Sequence, residues 1–160
     1  MSQKENNTIK LDLTDHKILH ILQENSKITT KEISQQLNLS QTPIYERIKR
    51  LENNGVIRKY VALLDLEKIN QPVITFCTIR LEKHSPEILN DFETVVRSFN
   101  EIIECYYIAG NYDYLVKVIT PSMKDYQNFV INKLSKNTRV AQIQSSFVMS
   151  NVKYTTAIDI

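Results

Sequence analysis

The chain has 160 residues, 42% hydrophobic and 24% charged, which suits one large or two small packed domains and argues against general disorder. Lys and Arg number 20 against 18 Asp and Glu, a formal net charge of +2, too slight an excess to decide for or against a nucleic-acid partner. The two glycines, Gly55 and Gly110, cannot write a dinucleotide fingerprint or a Walker loop, so those phosphate-binding classes are excluded.

Residues 1–10 are polar, which predicts a flexible tail and no secretory leader. The first helix begins near Asp12 or Thr14, with Leu13, Ile18, Leu19 and Leu22 as its apolar stripe. Thr29 to Glu32 is a capping box that opens a short helix buried through Ile33 and Leu37. Asn38 suits the left-handed residue that ends it. Ser40 is expected to cap a third helix, with Pro43 in the first turn, Ile44, Ile48 and Leu51 on the buried face and Gly55 at the end. A strand is expected over 56–64. Two short helices joined by a tight turn, behind a leading helix and ahead of a strand, form a winged helix-turn-helix pattern, assigned to residues 11–61. A plain protein-binding bundle fits the same spacing. Residues 62–72 read as a linker.

From residue 73 the chain alternates strands and helices. Val73 to Leu81 is β-branched and reads as a strand. Ser85-Pro86 opens a helix that buries Leu89, Phe92, Val96 and Phe99. Strands over 102–109 and 112–119 flank a short hairpin turn at Gly110-Asn111. Ser122 caps a further helix with Tyr126, Phe129 and Val130 inward, and strands follow over 140–149 and 152–158. The order βαββαβ is a ferredoxin-like unit, so residues 73–160 form a second domain of an α+β chain. Apolar residues on both parities of the first strand predict that the helix-free sheet face is covered by a second subunit.

The third helix carries groove-reading side chains opposite its buried stripe: Thr42, Tyr45, Glu46, Lys49 and Arg50, with Arg47 on the flank and Ser40 and Gln41 at its start. The bland alternative is a solvated helix face. Glu46 is expected to pair with Arg50 at i+4. Arg58 and Lys59 are candidate phosphate contacts just beyond. His16 and His20 lack a third ligand, so no metal is expected, and His84 reads as an ordinary loop residue. Cys77 and Cys105 read as buried hydrophobes in a reducing compartment. No apolar run reaches the ~20 residues of a membrane span. Gly110, Asn111, Tyr112 and Asp113 can recognise a zwitterion, turn amides taking a carboxylate and Asp113 an ammonium; a turn whose Asp bonds its own backbone is the alternative.

Three segments are similar to the Lrp/AsnC (feast/famine) transcription regulators, nearest the leucine-responsive branch: residues 11–19, residues 39–57 and residues 104–115. The resemblance runs from residue 11 to about 153 on both domains. It implies a winged helix-turn-helix reader of double-stranded DNA joined to a ferredoxin-like sensor, as homodimers assembled to octamers. It also implies a cytoplasmic, nucleoid-associated regulator that is not an enzyme, with an amino-acid effector and no cofactor. By resemblance Tyr107, Ala109, Met123, Ser146 and Phe147 lie near the effector, between dimers. At Lys136 to Arg139 the family usually has a Leu-Pro-Gly turn, so a different loop is expected. A tetrapyrrole (sirohaem-type) decarboxylase on the same architecture and an effector-free architectural DNA-binding protein remain as alternatives.

Overall fold

The computed structural model describes residues 9–69, 72–137 and 139–160, so most of the expected tail at 1–10, two linker positions and Thr138 lie outside the described residues. The chain divides into two compact units, one of residues up to 63 together with 153–160, the other of residues 64–152.

The N-terminal unit holds α1 (Leu13–Glu24), α2 (Thr30–Leu37) and α3 (Gln41–Asn53). Ile18, Leu19, Ile33, Ile44 and Leu51 form its core, flanked by Leu22, Leu37 and Ile48. Full burial of each such side chain is worth about 1.5–3 kcal/mol. Leu13 is the exception to the expected stripe: it is 82% exposed. The reciprocal Thr29–Glu32 box is present and Asn38 is left-handed with φ 53°. At the start of α1 Asp12 and Asp15 form a second capping box, with aspartate in place of the usual glutamate. Ser40 has extended N-cap backbone but makes no side-chain cap bond. Gly55 ends α3 at φ 70°, while the Val56 and Ile57 amides both donate to the Leu51 carbonyl.

No strand forms over 56–64. A ladder needs a neighbouring strand, and none among the described residues pairs with the segment; Tyr60, Val61, Leu63 and Leu64 are exposed. The segment over 152–158 is also not a strand. Residues 153–160 group with the N-terminal unit. The Gln23 side-chain amide ties this segment to α1: its Nε2 donates to the Ile158 carbonyl at 3.0 Å and its Oε1 accepts from the Ile158 amide at 2.8 Å.

In the second unit a 3-10 turn at Leu66–Lys68 precedes β1 (Val73–Leu81), α4 (Pro86–Ser98), β2 (Ile102–Tyr107), β3 (Tyr114–Thr120), α5 (Met123–Asn128), α6 (Ser135–Asn137) and β4 (Val140–Phe147). The antiparallel sheet runs β2-β3-β1-β4, the ferredoxin-like βαββαβ arrangement. Cys77, Ile79, Leu81, Tyr114, Val116 and Val118 face the core, where Phe92 stacks on Tyr114 with centroids 4.4 Å apart. On α4 the buried positions are Ile88, Phe92 and Val96, with Leu89 and Phe99 half-buried. Between α5 and α6, Phe129–Leu134 is a π-helix. Its wider i→i+5 turn brings Phe129 and Leu134 to the same side, and both are buried. The helix thus continues through Asn137, into the segment where a different loop is expected. The opposite sheet face mixes Ile74, Phe76, Leu115 and Ile119 with a Lys117–Glu104 ion pair of 2.9 Å. Cys77 is buried, but Cys105 is exposed, because β2 is an edge strand.

Candidate functional site

The first candidate surface is the outer face of α3. Ile44 and Leu51 are fully buried, so at helical spacing the opposite side chains face solvent. Ser40, Gln41, Thr42, Tyr45, Glu46, Lys49 and Arg50 are exposed and Arg47 is half-buried. The expected Glu46–Arg50 pair is replaced by a longer-range one. Arg50 Nη2 donates to Asp15 Oδ2 at 2.5 Å, and Arg47 Nη1 donates to Asp15 Oδ1 at 2.8 Å and to Asp12 Oδ2 at 2.7 Å. Asp15 is fully buried, so it requires such partners. The cap bond from the Asp15 amide, then Arg47, holds the Asp12 carboxyl below its ordinary value. The two aspartates hold Arg47 further above its own.

Lys49 Nζ pairs with Glu52 Oε2 at 2.7 Å and lies 5.8 Å from the Tyr45 ring centroid. Glu52 also accepts from the Tyr60 hydroxyl at 3.0 Å. Arg58 and Lys59 are exposed, beyond the end of α3. Sequence reasoning missed Asp12 and Asp15 as partners of this face; the signal was the three-residue Asp spacing at the start of α1, a capping pattern in which two acids crowd a helix N-terminus.

The second candidate surface is the connection between β2 and β3. It is a six-residue loop, 108–113, not the expected two-residue turn. Two backbone bonds and one to a side chain set its length. The Ile108 amide donates to the Asp113 carbonyl at 2.8 Å, and the Asp113 amide donates to the Ile79 carbonyl at 2.8 Å. The Leu81 amide donates to Asp113 Oδ2 at 2.7 Å. Asp113 is thereby stitched to β1 and is unavailable to extend β3. Gly110 has φ 139°, a conformation that a side chain would strain.

His84 Nε2 lies 2.8 Å from Asp113 Oδ1, so His84 is part of this site and not an ordinary loop residue. It follows the end of the strand that Asp113 joins. Arg80, His84, Gly110, Asn111 and Asp113 line an open pocket of about 300 Å³. Ala109 is exposed on the same loop, and the Tyr112 hydroxyl donates to Gln144 Oε1 on β4 at 2.6 Å.

The other expected effector residues are dispersed. Tyr107 ends edge strand β2, whereas Ser146 and Phe147 lie on the opposite edge strand, β4, with two strands between them. Tyr107 stacks near Tyr114 with centroids 5.2 Å apart, and Phe147 meets Tyr126 edge-on at 5.1 Å. Met123 opens α5 and is exposed. In one copy of the chain Tyr107 thus lies apart from Ser146 and Phe147.

Comparison with known proteins bears on both surfaces. The model of a winged helix-turn-helix DNA-binding domain matches residues 11–58, and that of the Lrp/AsnC ligand binding domain matches residues 74–158. The DNA-binding transcriptional activator DecR of Escherichia coli (strain K12) is 37% identical over 150 residues, 94% of this chain and 99% of its own. The leucine-responsive regulatory protein of the same organism is 35% identical over 143 residues, 89% of this chain and 87% of its own. A solved transcriptional regulator of Neisseria meningitidis in complex with L-Met superposes with a TM-score of 0.87 at 36% identity, over 93% of this chain and 96% of that one.

Proposed function

The chain belongs to the Lrp/AsnC family, and from that premise we propose that it is a sequence-specific DNA-binding transcription regulator that responds to an amino acid or related small metabolite. The observation that carries this reading is the presence on one chain of both matched domains, each with its candidate surface exposed. Thr42, Tyr45, Glu46 and Lys49 offer hydroxyls, an acid and a cation to base edges or phosphates, with Ser40, Gln41, Arg58 and Lys59 as flanking contacts. The pocket is lined by Arg80, by His84 and Asp113, which pair, and by Gly110 and Asn111. Opposite charges around a turn suit a zwitterion: Arg80 and the amides take the carboxylate, and Asp113 takes the ammonium.

Tyr107, Met123, Ser146 and Phe147 shape the side-chain subsite when copies assemble. Homodimers assembled to octamers are part of the proposal, supported by the apolar residues on the helix-free sheet face. The relatives above are named as regulators, and no catalysis or cofactor is proposed. Among the described residues no helix is long and apolar enough to cross a membrane; the proposed location is the cytoplasm, with the DNA. The effector acts by linkage, through its differential affinity for two states of the assembly.

A thermal-shift screen of the amino acids on the full chain tests the sensing half. A ligand at a hundred times its Kd stabilises the native state by about 2.7 kcal/mol, so at least one amino acid raises Tm. A uniform null result across the amino acids rejects an amino-acid effector. With the best hit, calorimetry on Asp113→Asn is expected to show affinity reduced about tenfold or more, since a hydrogen bond to a charged group is worth ~1.5–3 kcal/mol. An unchanged Kd returns Asp113 to a purely loop-closing role.

A further inference from the structure

Asp15 stands out because a fully buried carboxylate binds two arginines of the candidate reading helix from another helix. Each guanidinium has five N–H donors in a planar fork. Arg50 gives one of them to Asp15 while its side chain remains 43% exposed, so donors are left for an outside acceptor and the fork is already oriented. Arg47 is held more fully, by Asp15 and by Asp12. The four groups, two acids and two arginines, sum to no net charge.

A neutral cluster of this kind treats the two kinds of DNA acceptor differently. A phosphate is an anion, and the neighbouring carboxylates repel it as the guanidinium attracts it. The O6 and N7 edge of guanine is a neutral acceptor pair that a fixed guanidinium meets with two bonds. We propose that Asp15 is a positioning residue for sequence readout: it holds Arg50 in place for a base edge, fixes Arg47 against α1, and lowers the pull of both on phosphate. The inference rests on the DNA-binding reading above and says which term of that binding these arginines serve.

The test uses the full chain and two duplexes: one enriched by the parent protein from a random-sequence pool, and a scrambled version of it. Affinities are measured across a salt series for the parent, Asp15→Asn and Asp12→Asn. With Asp15→Asn, binding to the scrambled duplex tightens and its dependence of log K on log salt steepens by about one, the signature of a further cation reaching phosphate. The preference for the enriched duplex falls about tenfold or more. A merely structural role gives the opposite pattern, with both affinities falling together at an unchanged slope, and that result overturns the proposal.

Should Asp15→Asn not fold, Asp12→Asn decides. Its residue is exposed and asparagine is an equally good N-cap, so the helix persists while Arg47 loses one of its two acids. The scrambled duplex is then bound more tightly and the preference is reduced; an unchanged slope and preference overturn the proposal. If the parent enriches no duplex, the DNA-binding reading itself falls and this one with it, an outcome separable from the others by the parent alone.

Discussion

Asn38 carries the one positive φ outside glycine among the described residues, 53°, and it sits in the tight turn between α2 and α3. A residue with a Cβ costs roughly 1–2 kcal/mol in that region unless its side chain bonds locally, as asparagine can. Asn38→Ala is therefore expected to lower unfolding free energy by about 1 kcal/mol, and Asn38→Gly to stay close to the parent, both read by urea denaturation. Loss in the glycine variant equal to that in alanine would assign the cost to the amide and not to the backbone. Features of this kind were legible in the sequence because they are local: Thr29 with Glu32, Asn38 and Gly55 all act within about a turn. The partners of Arg47 and Arg50 were not, because Asp15 is 32 and 35 positions distant, and an i+4 acid, Glu46, offered a nearer but unused alternative. His84 was illegible for the same reason, since its contact with Asp113 depends on β1 and the β2–β3 loop meeting in space.

Elements followed the pattern of the sequence where the chain supplies its own neighbours. The bounds of β1 match the β-branched run, because β3 and β4 pair on its two sides. The run after Gly55 has comparable strand character and forms none, for want of a neighbour. Ion pairs and caps act both within elements and between neighbouring ones. Lys117 lowers the Glu104 carboxyl across β2 and β3, Lys133 lowers Glu101, Lys49 lowers Glu52, and the Thr29 amide lowers Glu32. A depressed folded value means that this stability is present above the ordinary values, 3.8 for Asp12 and 4.5 for the glutamates, and is lost as pH falls through the lower ones. Tm is expected to be level between about pH 7 and 5 and to fall steadily below about 4.5. A Tm unchanged down to pH 3 would show that these pairs contribute nothing, as many exposed pairs do.

At the scale of the molecule, two cores lie in two units, and the chain passes between those units twice, entering the second near Leu64 and leaving it near Val152. The second passage was not legible, because nothing in the composition of 153–160 points to α1; the Gln23 amide ties Ile158 there across the length of the chain. Gln23→Ala removes both of its bonds to Ile158, so trypsin should cut after Lys153 faster than in the parent, with cleavage elsewhere unchanged. Equal rates would show that other contacts hold the segment. The same closure has a consequence for synthesis. Gln23 and Ile158 are 135 residues apart, and at ~5–20 residues per second a ribosome needs roughly 7–27 s to travel between them. The first three helices thus emerge early and wait through the making of the whole second unit for their last strap. The N-terminal unit is the first to be started and the last to be finished.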